Sequence, residues 1–219
     1  MSLKTFSDVF KERTLSGTFE GVLTTVPMLA LLISFYPLGV SFSLVNFTYG
    51  AKGLDPSAKA ALPALCFGML VLMIGWEVFF RGLILRFLLK RFDWKKALLF
   101  HMIAINLVII PLLGPKAIGW RDFGIIRFFI GENLFECFLA LFFMRTGSII
   151  GNTFLHTVCN CIRFFIINDA VGPFETLYFY SAASDDFYWL ILASTFLTAS
   201  IQAFINQKWG MREVRAIQS

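Results

Sequence analysis

Long apolar runs broken by short polar stretches divide this chain. Six segments meet the requirement of about 20 mostly apolar residues for a membrane-crossing helix. They span roughly 21–47, 61–89, 97–113, 124–144, 147–167 and 187–206. The first two exceed the minimum, which predicts tilt, a break or an interfacial extension, and Pro27 and Pro37 predict a kink in the first. GAKGLDPSAK at 50–59 reads as a turn-rich loop, DWKK at 93–96 as a tight joint, and 112–122 as a looser connection. There is no internal repeat or low-complexity tract. The pattern predicts an all-α fold: a polytopic membrane helical bundle of about six transmembrane helices.

Composition points the same way, with 58% hydrophobic residues, 15% charged and 27 phenylalanines among 219 residues, at a mean hydropathy of +0.74. One bundle over 21–206 is expected, between an amphipathic segment at 1–20 and a basic tail at 207–219, because no polar stretch is long enough for a second domain. The net charge of +5 comes from residues beside the apolar runs, not from a basic block interleaved with aromatics, so no nucleic acid is expected as a partner. With the N-terminus inside, the basic residues other than the intramembrane Arg81 and Arg163 divide twelve to five in favour of the inner side. That asymmetry predicts both termini in the cytoplasm. The N-terminal segment lacks the charged, apolar and cleavage regions of a signal peptide, so the first span is expected to direct insertion. Cys66, Cys137, Cys159 and Cys161 form no CxxC pair and read as small packing residues rather than disulfides or metal ligands.

Against this background the polar residues inside the spans carry the information, since ionisable groups in hydrocarbon face a protein interior or a wet cavity. Glu77 and Arg81 are four apart and share one helix face. This is either a neutralising pair or a carboxylate aimed by its arginine as a base or substrate clamp. The only two histidines of the chain, His101 and His156, each lie in an apolar span, and Asn160 shares the face of His156. At 1.5 Å per residue, Glu77 lies about 14 Å from Arg86, His156 about 14 Å from Gly147 and His101 about 8 Å from Lys96. All three therefore fall in the cytoplasmic half of the bilayer, within reach of one cavity. Glu132 and Glu136 are also four apart. They are expected mainly as structural partners of Arg127 or Arg163, with one of them an auxiliary acid.

Glu77-Val-Phe-Phe-Arg81, then His101, then His156-Thr-Val-Cys-Asn160 resembles the CAAX prenyl protease and bacteriocin-processing (CPBP) family. Its signature runs EExxxR, FxxxH, HxxxN or HxxxD on consecutive parts of a membrane bundle. The approach MRTGSIIGNTFLH also looks like the family's, and the likeness covers roughly 70–165. It implies a glutamate-type intramembrane endopeptidase in which a carboxylate and a histidine activate water. The second histidine and Asn160 stabilise the oxyanion, so that Glu77 serves with His101 and His156 with Asn160. Arg81 completes the matched set. No cofactor or metal is implied. The expected substrate is a membrane-associated peptide or protein, lipidated or not, cut near the cytoplasmic face of a bacterial inner membrane or an equivalent internal membrane. Two positions depart from the pattern. Trp76 stands where the family keeps the first glutamate, its water-activating base, and Ala97 where FxxxH has phenylalanine. Glu77 is then the base of a single-glutamate variant, or the protein is an inactive relative acting as a scaffold or chaperone. Retention of both histidines, Arg81 and Asn160 favours the enzyme. A zinc protease is disfavoured by the lack of HExxH, and a proton-coupled transporter by the lack of two similar halves.

Overall fold

Proline at the first helical position loses no backbone bond and presets the helical φ. The first long helix accordingly starts at Pro56, ahead of the 61 predicted from hydropathy. A computed structural model describes residues 56–113, 123–161 and 185–211, with short pieces at 19, 45–46, 167–168, 180–182, 214–215 and 217. The predicted first span lies outside these residues except at its end. Helix α1 (Pro56–Glu77) passes into a π-helical stretch, Val78–Leu85, and then into α2 (Arg86–Leu89). Helices α3 (Trp94–Leu113), α4 (Phe123–Thr146), α5 (Ile149–Cys161) and α6 (Asp185–Trp209) follow. Three short strands pair in the order β1–β3–β2: β1 (Val45–Asn46), β2 (Ile167–Asn168) and β3 (Tyr180–Ala182). Val45 lies opposite Ala182 in antiparallel register, and Ile167 opposite Tyr180 in parallel register. The predicted ends of the first and fifth spans are thus extended rather than helical, and their backbone groups find partners across strands.

The π-helical stretch answers a spacing problem in the sequence. Met73, Glu77, Arg81, Leu85 and Leu89 are all buried and stand every four residues. In a pure α-helix each step of four would drift by about 40° and carry the stripe off the core face. The wider i→i+5 winding of Val78–Leu85 turns less per residue and takes back part of that drift.

Two tight joints set where α3 and α5 begin. Asp93 caps α3, its Oδ1 accepting from the backbone N–H of Lys95 at 3.1 Å and of Lys96 at 3.2 Å. The Lys96 bond in particular holds the Asp93 carboxyl below its ordinary value, so the cap is intact at neutral pH and is lost as pH falls through that lowered value. Between α4 and α5, Gly147 takes φ 67° and returns its N–H to Phe143 O at 2.8 Å, a left-handed helix end that favours glycine. Ser148 then caps α5, its Oγ accepting from Gly151 N–H at 2.9 Å. Ser148→Ala is expected to lower stability by about 1 kcal/mol, read as a fall in thermal midpoint in detergent. An unchanged midpoint would show that the cap does not hold α5.

Polar contacts tie the helices together. Asn106 on α3 and Asn133 on α4 exchange both amide bonds, at 2.7 and 3.2 Å. Asn206 on α6 donates to Leu141 O on α4 at 2.8 Å and accepts from Gln202 at 2.9 Å. Such bonds hold helices where the surroundings are as apolar as the side chains. The predicted basic tail turns at Gly210 (φ 80°), and Val214 is buried in a core cluster with Leu85, Leu89 and Met144. A second cluster gathers Phe135, Phe138, Leu139, Leu155 and Cys159. All four cysteines are free thiols.

Polarity is inverted relative to a water-soluble protein. Phe67 (66% exposed), Leu72 (61%) and Leu107 (69%) face outward, while Glu77, Arg81 and His101 are all at 0%. Two helical stretches among the described residues are long and apolar enough to cross a membrane. These are Pro63–Leu89, with mean hydropathy 1.9, and Trp94–Pro111, with 1.4.

Candidate active site

Helices α1 and α5 run antiparallel. Met73 meets Asn160, and Glu77, one turn on, meets both His156 and Asn152. This register follows from two four-residue stripes facing each other: Met73, Glu77 and Arg81 on one helix, Asn152, His156 and Asn160 on the other. Helix α4 closes the third side with Glu136, and α3 supplies His101.

Glu77 is the hub. Its Oε1 lies 2.6 Å from His156 Nδ1 and 3.1 Å from Arg81 Nη1, while its Oε2 accepts from Asn152 Nδ2 at 3.1 Å. Arg81 reaches the other way with Nη2, pairing with Glu136 Oε2 and donating to the Glu136 carbonyl at 3.4 Å. One guanidinium thus bridges two buried carboxylates, an arrangement its planar fork of donors allows. Glu136 Oε1 accepts from Trp76 Nε1 at 3.1 Å and stands 4.0 Å from His156 Nε2. The edge of the His156 ring packs on Phe135, with centroids 5.4 Å apart.

Glu77, Arg81, His156 and Asn160 are brought together on the facing stripes of α1 and α5, but with other partners than the resemblance implies. Glu77 holds His156, not His101. The reason is register: the α1–α5 pairing sets Glu77 directly opposite His156. His101 is fully buried, with its ring 6.2 Å from that of Phe80 in an edge arrangement. Neither of its nitrogens has a hydrogen-bond partner among the described residues. Asn160 does not bond His156; its Nδ2 donates to Met73 Sδ at 3.3 Å, a weak acceptor. Glu136 was expected beside Arg127 or Arg163, whose side chains lie outside the described residues. It turns instead to Arg81 and Trp76. Glu132, one turn away, is half-buried.

The sequence reading missed Asn152. Its signal was present: it lies four residues before His156 and eight before Asn160, so the three make one polar stripe along the helix. Asn152 also donates to Leu139 O at 2.9 Å, which locks its amide so that Nδ2 faces Glu77.

A buried set of this kind, with two carboxylates, one arginine, two imidazoles and amide donors, can bind water, move a proton and stabilise developing negative charge. The space between Glu77 and Glu136 that a cation would favour is already filled by the Arg81 guanidinium. The chain matches no curated protein and no solved structure. The family model described as "Type II CAAX prenyl endopeptidase Rce1-like" matches residues 57–162. That stretch contains every site residue described above.

Proposed function

We propose that the protein is an intramembrane endopeptidase, on the premise that residues 57–162 match the type II CAAX prenyl endopeptidase Rce1-like family model. Its substrate is a membrane-associated peptide or protein, with a prenylated C-terminal tail the class the family name suggests. The observation that carries this reading is the 2.6 Å contact between Glu77 and His156 inside a fully buried polar cluster. A carboxylate on Nδ1 fixes the imidazole tautomer and leaves Nε2 turned to the reaction centre.

Each of the five residues then has a role. Glu77 orients His156, and Arg81 fixes Glu77. His156 Nε2 takes part in binding the nucleophilic water. His101, whose ring nitrogens have no partner among the described residues, and Asn160, whose amide rests on a thioether, are the donors for the oxyanion. Both can turn to the developing charge with little or no hydrogen bonding to give up, and this favours the transition state over the ground state. The apolar outer surface supports placement in a bilayer. The excess of basic residues at the Arg86–Lys96 and Arg145 ends supports a cytoplasmic opening.

In the test, the full chain is reconstituted in liposomes with an internally quenched farnesylated peptide carrying a three-residue tail, and in parallel with the unprenylated peptide. Cleavage of at least one is expected, and none after His101 and His156 are both replaced by alanine. Equal cleavage by the double variant would refute the reading. A wild-type protein inert on both would favour the non-catalytic scaffold that Trp76 raises.

A further inference from the structure

Glu77 is the acid the matched motif retains, but three of its four lone-pair sites are committed. Oε1 holds both His156 and Arg81, and Oε2 holds Asn152. Glu136 is differently placed. Arg81 occupies Oε2, Trp76 occupies one side of Oε1, and the same Oε1 faces His156 Nε2 across 4.0 Å. Two acceptors that grip one water by both its hydrogens stand about 4.4 Å apart at ordinary hydrogen-bond lengths. The Glu136–His156 gap is of that size. With Nδ1–H given to Glu77, Nε2 is an acceptor, and a water held by both groups turns its lone pairs outward.

We infer that Glu136, carried on α4, is the carboxylate that activates the water, with Trp76 as the residue that positions it. The tryptophan at the place of the missing acid brings a carboxylate to the site by hydrogen bond instead of bearing one. The inference rests on the endopeptidase reading above.

The step balances as follows. Water gives one proton to Glu136 Oε1 as its oxygen bonds to the scissile carbonyl carbon, and the carbonyl π pair moves onto oxygen. When that oxyanion collapses, the C–N bond breaks. The departing nitrogen takes the proton from Glu136, giving an amine and a carboxylic acid and restoring the carboxylate.

The variant to make is Glu136→Gln, assayed in liposomes with both peptides named above. It keeps the shape of the side chain and one acceptor oxygen, enough for Arg81 or Trp76 but not both, and it cannot take the proton. Cleavage is expected to fall at least about 100-fold. Adding Trp76→Glu to Glu136→Gln is expected to restore part of the activity, since the acid then returns on α1. Should Glu136→Gln fail to fold, Glu136→Asp keeps the charge beside Arg81 but draws Oε1 back from His156, and its cleavage is expected to fall as well. A wild-type rate in a folded Glu136→Gln or Glu136→Asp protein would overturn the inference and leave the endopeptidase reading standing. Wild-type protein inert on both peptides would remove that reading, and the inference with it.

Discussion

Replacing Glu77 by glutamine is expected to lower peptide cleavage by about 10³–10⁴-fold while leaving the bundle folded. The size follows from what the carboxylate does at 2.6 Å from His156 Nδ1. It accepts one N–H and thereby decides which nitrogen keeps the lone pair. An amide in its place can offer N–H to Nδ1, which favours the opposite tautomer and turns Nε2 from acceptor to donor. Folding is expected to survive because Arg81 keeps its pairing with Glu136. The two residues act as a unit, so His156→Ala added to Glu77→Gln should cost little more than either alone. Steady-state cleavage of the quenched peptide by the two single variants and the double variant is the measurement. Losses that multiply would mean that Glu77 and His156 work separately.

The second large effect is on stability. Arg81→Met is expected to destabilise the protein by about 3–5 kcal/mol, the usual consequence of removing one partner from a buried ion pair. Here the loss bears on two anions at once. Arg81 touches both Glu77 and Glu136 and is itself fully buried, so its removal leaves two carboxylates without their shared cation. The arginine is thus the structural centre of a site in which it performs no chemistry. Thermal unfolding in detergent checks this. A midpoint near wild type would mean that the carboxylates are neutralised by other means. Arg81→Lys should recover only part of the loss, because an ammonium cannot present two parallel forks.

Much of this was legible from spacing. Glu77 with Arg81, and His156 with Asn160, read as shared faces because four residues bring an α-helix nearly full circle. Five of the six predicted spans fall on helices α1 to α6, although α1 starts at Pro56 rather than 61 and Ile167, predicted helical, lies in a strand. Partners were harder. Whether Glu77 meets His101 or His156 depends on how α1 and α5 slide past each other, and no single helix carries that information. Glu136 was visible as an intramembrane charge, but its direction depends on the rotation of α4. The π-helical turn left a trace that could have been read. Five buried positions at strict four-residue intervals, from Met73 to Leu89, are incompatible with one face of an unbroken α-helix. In the sequence Trp76 marks a missing acid and leaves two readings, a single-glutamate enzyme, which is favoured, or an inactive relative. In three dimensions it is a hydrogen-bond donor to an acid from another helix.

The caps at Asp93 and Ser148 have a metric consequence. His101 stands eight residues after Asp93, and His156 eight residues after Ser148. Each imidazole is therefore about 12 Å from the mouth of its helix. Two joints of different make, one an aspartate and the other a glycine–serine pair, work as rulers of equal length. On the endopeptidase reading proposed above, the level at which a polypeptide could be cut is then set by counting residues along each helix from its cap, not by the walls of the cavity.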